Sequence, residues 1–225
     1  MTSPIPRVPE SEYMDLPHEA KAYAEADFSD VNTAFVDHLL ELTGPLEKGL
    51  VLDLGTGPAD IPIRVSTRRP GWTILAVDAS LAMLRLACGV LPEVCAEGRL
   101  LLVQADAKRL PVPPGRFDVV FSNSILHHID DTASLWREIM RAAAPGALVF
   151  LRDLTRPSSA EEAYLLVEKH AEGESALLKE EFRRSLLAAY TPAEVEEQLL
   201  EAGLDSFTVL QVTDRHLDIV GRVPS

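Results

Sequence analysis

The sequence has few cysteines and no long apolar run. Cys88 and Cys95 are its two cysteines, and they form no Cys-x-x-Cys pair. Two isolated thiols cannot build a metal framework, so we expect both to be reduced. No segment approaches the roughly 20 apolar residues that span a bilayer, and the proline-rich start at 1–9 does not resemble a signal peptide. These absences predict a cytoplasmic protein without stable membrane insertion.

Basic residues are also scarce. Lys and Arg number 21 against 35 Asp and Glu, which gives a formal charge of −14. Proteins that bind nucleic acid usually present a basic face, because they must neutralise phosphates. We therefore expect a small-molecule substrate and no nucleic acid.

From residue 49 the chain alternates between short apolar runs and helical patterns. The runs at 50–54, 73–77, 99–103, 117–121 and 147–151 predict strands, with helices at 59–69, 80–88 and 132–143. Continuously apolar strands that alternate with helices are typical of a parallel sheet covered on both faces. With two further strands near the C-terminus, the expected fold is α/β: a doubly wound, mostly parallel, seven-stranded, Rossmann-like sheet.

The flanking segments follow other patterns. Residues 1–12 are expected to be poorly ordered, and helices are predicted at 18–26 and 30–42. Residues 158–190 predict two helices, a helical insertion after the fifth strand. Thr191, Pro192 and Glu194 form a strong helix start, and the strands 207–212 and 217–220 are joined by a link short enough to require an antiparallel hairpin.

We therefore expect one domain in four parts. Residues 1–48 form an N-terminal helical lid, to which Tyr13, Tyr23 and Phe28 contribute aromatic rings. Residues 49–153 form the ligand-binding core. Residues 154–190 are a possible substrate cover, in which Tyr164, His170, Phe182 and Arg183 are candidate pocket residues. Residues 191–225 supply the last helix and the hairpin.

The most informative segment is Asp53-Leu54-Gly55-Thr56-Gly57, a strand that runs into a glycine turn. Glycines let the backbone approach a ligand closely, and open α/β sheets bind ligands beyond the carboxyl ends of their strands. A dinucleotide fold would place a third glycine where Asp60 stands, and a phosphate loop would need a lysine that is absent. Asp53 suits an ammonium group better than a phosphate, so a nucleoside with a cationic tail, such as S-adenosylmethionine (SAM), fits the turn.

This segment resembles the first motif of class I SAM-dependent methyltransferases, in the broad group of ubiquinone and menaquinone biosynthesis enzymes. The resemblance continues, in the family's order and spacing, through 77–80 with 83–84, 104–107, 117–124, 126–128 and 145–147. It implies that the cofactor is SAM and that the chain methylates a small-molecule acceptor.

The resemblance also implies a set of cofactor contacts. The glycine turn would lie against the amino-acid end of SAM, Asp78 would accept from both ribose hydroxyls, and Asp106 would accept from the adenine amino group. Asn123 would lie beside the sulfonium. The full cofactor-binding set is Asp53, Gly55, Thr56, Gly57, Asp78, Ala79, Met83, Asp106, Ala107 and Asn123. Other roles stay open: Asp78 as a helix cap, Asp106 as a loop acid and Met83 as core.

Candidate catalytic residues follow the fourth and fifth strands and lie in the hairpin. They are His127, His128, Arg152, Asp153 and His216, and Arg215 beside His216 would approach the same pocket. Histidine is the natural base near neutral pH, although one of the adjacent pair can serve as a structural link. Arg152 and Asp153 are expected to face the opening, and Asp118 is expected to tie down a loop.

The expected reaction is in-line displacement of the methyl group, which needs no metal and no covalent intermediate. Two other functions remain: a SAM-binding regulatory or non-catalytic homologue, and an NAD(P)-dependent oxidoreductase. Asp60 at the third glycine position argues against the second of these.

Overall fold

The computed structural model describes residues 5–11, 13, 16–91 and 98–224. Its helices are α1 Pro17–Glu25, α2 Ser29–Thr43, α3 Asp60–Arg68, α4 Leu81–Val90, α5 Thr132–Ala142, α6 Ala160–His170, α7 Ala176–Ala188 and α8 Pro192–Glu201, with a short 3-10 helix at Leu126–His128. Its strands are β1 Gly49–Leu54, β2 Trp72–Asp78, β3 Leu100–Gln104, β4 Phe117–Asn123, β5 Ala143–Leu154, β6 Thr208–Gln211 and β7 His216–Arg222.

The strands form one seven-stranded sheet in the order β3-β2-β1-β4-β5-β7-β6. The first five strands pair in parallel, and β7 is antiparallel to both β5 and β6. The predicted fold class and the C-terminal antiparallel hairpin are confirmed. The strand order reverses between β1 and β4, which is where open α/β sheets form a ligand crevice beyond their carboxyl ends.

Alternate strand residues pack into two separate cores, one on each face of the sheet. Val51 of β1 joins the core of α2 and α3, whereas Leu52 joins that of α5 and α8. Trp136, which is fully buried on α5, anchors the second core. Truncating such a side chain to alanine costs about 3–5 kcal/mol, because it removes apolar contacts and leaves a cavity.

The two helices of the insertion, α6 and α7, pack on each other, and α7 also contacts the 3-10 helix and α1. Their own small core includes Leu154, Leu166 and Leu186. The helix α8 then begins at the predicted cap: the Thr191 hydroxyl accepts from the Glu194 amide at 3.3 Å, and the Glu194 carboxylate accepts from the Thr191 amide at 2.8 Å. The fold therefore confirms the two insertion helices and the capping box.

The structure departs from the sequence predictions at two places. The strand β5 begins at Ala143, immediately after α5, and continues through the predicted turn at Pro145 and Gly146. Gly146 accommodates this with φ +78°, and its amide donates to the Val223 carbonyl at 3.0 Å. The expectation of disorder is wrong for residues 7–11, which make long-range contacts with α7 and the 3-10 helix.

The structure also bears on the predictions about the cysteines and about the membrane. Cys88 is an exposed free thiol, and Cys95 lies outside the described residues. In the described part of the chain, no helix combines the length and the apolar character needed to cross a membrane.

Candidate active site

A cavity of about 850 Å³ opens beyond the carboxyl ends of the parallel strands. This volume lies within the usual range for small-molecule sites. Its walls come from the N-terminal helices, the ends of β2 to β5, the insertion and the hairpin. The cofactor candidates that line it are Gly55, Gly57, Asp78, Ala79, Met83, Asp106, Ala107 and Asn123.

The glycine turn leads from the end of β1 into α3 and lies against the end of β2. Gly55 has φ +73° and Gly57 has φ +56°, a conformation that disfavours other residues. A side chain at Gly55 would also come within 3.0–3.1 Å of Ile125, whereas the space beside Gly57 is open. The turn is held by the Val77 carbonyl, which accepts from the amides of Gly55 and Thr56, both at 2.9 Å.

Asp78 is organised by backbone donors from both sides. Its carboxylate accepts from the Gly57 amide at 2.7 Å and from the Ser80 amide at 2.8 Å. It therefore fixes the glycine turn and the approach to α4 at once. A carboxylate offers about four lone-pair sites, so two backbone donors alone do not exhaust its acceptor capacity.

Asp53 lies beneath the turn and does not line the cavity. Its side chain is 2% exposed, and its Oδ2 is a buried oxygen with no hydrogen-bond partner among the described residues. Burial raises the pKa of Asp53 to about 7, and the nearby Asp78 adds to the effect while Thr56 opposes it. Thr56 is likewise buried behind the turn, so both residues can reach a ligand only indirectly.

The segment that follows β3 forms another part of the cavity wall near Asp78. Asp106 is half exposed, accepts from the Lys108 amide at 2.8 Å and lies 3.3 Å from Lys108 Nζ. Met83 and Ala107 are buried there. The structure thus brings Asp78, Met83 and Asp106 to one end of the cavity, as the sequence predicted.

The two adjacent histidines of the 3-10 helix both line the cavity, but their pKa values shift in opposite directions. Burial alone would lower the pKa of His127, but the carboxylates of Asp153 and Glu10 outweigh it and raise that pKa. His128 behaves in the opposite way, since burial and the neighbouring His127 lower its pKa to about 3. His128 is therefore a neutral imidazole whose Nδ1 lies 3.0 Å from the Ser11 carbonyl oxygen.

Asp153 does not face the opening, which corrects the prediction from its place at the end of β5. It is 2% exposed and accepts from the Leu126 amide at 2.6 Å, the Leu154 amide at 2.7 Å and His127 Nδ1 at 2.5 Å. Successive strand residues point to opposite sides, so Arg152 reaches the cavity while Asp153 turns toward the 3-10 helix. Asp153 orients His127 and touches no ligand space.

Arg152 lines the cavity, yet its guanidinium is already bound. Its Nε and Nη2 donate to the two oxygens of Asp218 at 2.6 and 2.7 Å. His216, on the next strand, also lines the cavity. Burial, together with Arg215 and Arg152, lowers the pKa of His216 to about 4, so its imidazole is neutral.

The sequence missed the N-terminal strap, residues 7–11. Glu10 Oε1 lies 3.4 Å from His127 Nε2 and 3.3 Å from His128 Nδ1, and it accepts from the Ser185 hydroxyl at 3.0 Å. Arg7 donates to the Ala188 carbonyl at 2.6 Å and the His127 carbonyl at 2.9 Å. Prolines and charges give no periodic signal, so these contacts could not be read from local pattern.

Of the other residues predicted for the pocket walls, some line the cavity and some do not. Tyr13, Tyr23, Phe28, His170 and Phe182 line the cavity. Tyr164 is 61% exposed, and Arg183 pairs with Glu180 on the outer side of α7. Asp118, expected to tie down a loop, instead fixes the start of β1, because its carboxylate accepts from the Leu50 amide at 2.8 Å.

Comparisons with known proteins agree with this geometry. Residues 52–151 match the family model described as "Methyltransferase domain". The chain is 31% identical over 116 residues to a demethylmenaquinone methyltransferase of Roseiflexus sp. (strain RS-1), a match that covers 52% of this chain and 47% of that protein. It is 30% identical over 125 residues to a trans-aconitate 2-methyltransferase of Azoarcus sp. (strain BH72), covering 56% and 47%.

The chain thus aligns with about half the length of these curated relatives. Among solved structures, a putative S-adenosyl-L-methionine-dependent methyltransferase from Methanococcus maripaludis superposes with a TM-score of 0.73 at 18% identity, covering 97% of this chain and 98% of that one. At this identity the likeness shows a shared fold. Residues 52–151 are thus similar to a methyltransferase domain, and the curated relatives that align with them are methyltransferases.

Proposed function

We propose that this chain binds SAM in the cavity and transfers its methyl group to a small-molecule acceptor. The observation that carries the proposal is the convergence of Gly55, Gly57, Asp78 and Asp106 on one end of the cavity. Residues 55–60 of this turn include no lysine or arginine, and the buried acid Asp53 lies directly beneath it.

The polar groups present fit the chemistry of the cofactor. The Asp53 oxygen that has no hydrogen-bond partner among the described residues can carry a negative charge below the turn, which suits the ammonium of the amino-acid end through bound water. Asp78 and Asp106 both line the cavity, and carboxylates are the acceptors that two ribose hydroxyls and an adenine amino group require. Met83 and Ala107 offer apolar surface for the ring.

When bound, SAM supplies a methyl group that its sulfonium already activates. The protein therefore has to align the acceptor and exclude water. Holding two reactants in an in-line arrangement can contribute on the order of 7–11 kcal/mol. We assign the exclusion of water to the N-terminal helices and to the insertion, whose residues form the outer walls of the cavity.

The imidazoles of His128 and His216 are neutral and line the cavity, and their lowered pKa values make them hydrogen-bond partners for the acceptor and only weak bases. His127 is instead held between Asp153 and Glu10, so we assign it a positioning role. The acceptors named in the relatives, demethylmenaquinone and trans-aconitate, differ widely, and the shared domain does not fix the acceptor.

Two measurements test the proposal. Isothermal titration of the full chain with SAM, S-adenosylhomocysteine and NADH should give binding of the two adenosyl compounds and none of NADH. Incubation with SAM and a library of small molecules should then release S-adenosylhomocysteine. Binding of NADH in place of SAM would make the chain an oxidoreductase candidate, and binding without turnover would favour a SAM sensor.

A further inference from the structure

The cationic side chains of the cavity differ in how well they are matched by carboxylates. Three line it in the described part of the chain: Lys108, Arg152 and Arg215. Lys108 lies 3.3 Å from Asp106, and Arg152 is paired through two nitrogens with Asp218. Arg215 has one carboxylate within 4 Å among the described residues, Asp214 at 3.9 Å, beyond hydrogen-bond distance.

That carboxylate is already engaged elsewhere. Asp214 Oδ2 accepts from Lys169 Nζ at 2.6 Å and lies 2.9 Å from His170 Nε2. Burial lowers the pKa of Arg215, because the charge of Asp214 offsets only part of the cost of burying the guanidinium. The chain carries a strong negative charge overall, yet it keeps an under-compensated cation inside its main cavity.

The guanidinium is held in place by a histidine. Arg215 Nη1 contacts His170 Nδ1, and a guanidinium can only donate, so Nδ1 must accept. The proton of the neutral imidazole then lies on Nε2 and donates to Asp214. Asp214 and His170 thereby orient Arg215 without neutralising it, and no other side-chain hydrogen bond of Arg215 is found within the described ranges.

Arg215 also stands at the acceptor side of the cavity. The Thr155 amide donates to the Arg215 carbonyl at 2.9 Å, which fixes the β6–β7 turn beside the carboxyl end of β5. The nucleoside candidates Asp78 and Asp106 follow β2 and β3, on the other half of the sheet. Between these two ends, Leu154, Leu178 and Phe182 give the wall apolar surface for an organic molecule.

We infer that Arg215 binds a carboxylate or phosphate group of the methyl acceptor. The inference rests on the proposed function, since it assigns the second substrate of the same site. A guanidinium recognises both oxyanions through paired N–H donors. Two acids also line this part of the cavity, but Glu181 accepts from Arg184 at 3.1 Å, and Glu174 is exposed to solvent.

The test uses the full chain saturated with S-adenosylhomocysteine and three probes of similar size: benzoate, phenyl phosphate and the neutral benzamide. In isothermal titration, at least one anion should bind about ten-fold more tightly than benzamide, since charge-assisted hydrogen bonds are the strong ones. Whichever anion binds more tightly identifies the oxyanion. In the variant Arg215→Gln, the affinity for that anion should fall to about the affinity for benzamide.

Arg183→Gln is the matched control, because this exposed arginine pairs with Glu180 away from the cavity. It should leave the anion preference unchanged. The affinity for S-adenosylhomocysteine should be the same in the wild type, Arg215→Gln and Arg183→Gln, which also shows that the variants fold.

Three outcomes would overturn the inference. The anions fail to bind the loaded wild type at millimolar concentration, the preference survives in Arg215→Gln, or Arg215→Gln loses affinity for S-adenosylhomocysteine while it stays folded by circular dichroism. The third would assign Arg215 to the carboxylate of the cofactor. If the wild type does not bind S-adenosylhomocysteine at all, the proposed function itself fails.

Discussion

The carboxylate of Asp153 lies 2.5 Å from Nδ1 of His127, and both side chains are buried. Burial opposes the low pKa of Asp153, but His127 and two backbone amides lower it. His127 responds in the opposite direction, since burial opposes its raised pKa while Asp153 and Glu10 hold its proton. The pair is a buried ionic link between the end of β5 and the 3-10 helix.

Asp153→Asn should reduce the free energy of unfolding by about 3 kcal/mol, the usual cost of breaking a buried ion pair. His127 contributes stability that is fully present below its unfolded pKa of 6.5 and is lost as pH rises through its folded value. Asp153 contributes stability that is present above 3.8 and is lost as pH falls through its folded value. Urea unfolding should therefore give a larger difference between wild type and variant at about pH 5.5 than at about pH 8.5.

The exposed Asp205→Asn provides the control for that measurement and should show no such dependence. An equal difference at the two pH values would mean that the pair is not ionic in the folded protein.

Asp78→Ala should weaken S-adenosylhomocysteine binding about 10- to 100-fold, because hydrogen bonds to a charged group contribute about 1.5–3 kcal/mol. Asp78 also accepts from the amides of Gly57 and Ser80, so part of the loss would come from the turn. Asp78→Asn keeps the size of the side chain and should show a smaller loss. Isothermal titration measures both affinities. The control Asp205→Ala should bind S-adenosylhomocysteine like the wild type. An unchanged affinity in Asp78→Ala would show that Asp78 does not bind the ribose.

We expect Asp53 to make the binding of S-adenosylhomocysteine depend on pH. Its pKa is about 7 in the protein without ligand, and an ammonium nearby favours the carboxylate over the acid. Binding of S-adenosylhomocysteine should therefore release a proton below pH 7, and its affinity should rise up to about ten-fold from pH 6 to pH 8. Titration in two buffers of different ionisation enthalpy measures the proton release, and Asp53→Asn should abolish it. A pH-independent affinity in the wild type would separate Asp53 from the ligand.

The sequence predicted the parts of this fold that follow from local pattern. The strand β1 and the glycine turn after Leu54 are marked by a continuous apolar run and then Gly55 and Gly57, and the carboxyl ends of parallel strands must meet at one edge. Two features escaped it for physical reasons. Arg7 meets Ala188 across 181 positions, a contact without local signal, and Asp153 turns inward because strand residues alternate.

The N-terminal strap can be tested through Arg7. Its guanidinium donates to Asp130 at 2.6 Å as well as to the carbonyls of Ala188 and His127, and it lies 4.2 Å from the centre of the Tyr190 ring. Arg7→Ala should make the strap open more often. The Val8 amide, which donates to the Leu187 carbonyl at 3.0 Å, should then exchange its hydrogen about ten-fold faster. The control Arg109→Ala removes an exposed arginine and should leave the exchange rate of the Val8 amide unchanged. A wild-type exchange rate in Arg7→Ala would show that backbone contacts alone hold the strap.

The two neighbouring histidines provide the last prediction, because their ring centres are 4.1 Å apart and their pKa values move in opposite directions. His127 should remain protonated above pH 6.5, since Asp153 and Glu10 flank its ring. His128, with its pKa lowered to about 3, should stay neutral from pH 5 to pH 8. NMR of the imidazole carbon-bound protons measures both, with His127→Gln and His128→Gln assigning the signals. In His127→Gln, His128 loses a neighbouring positive charge, so its pKa should rise. Titration of His128 near pH 6.5 in the wild type would contradict the buried, neutral imidazole.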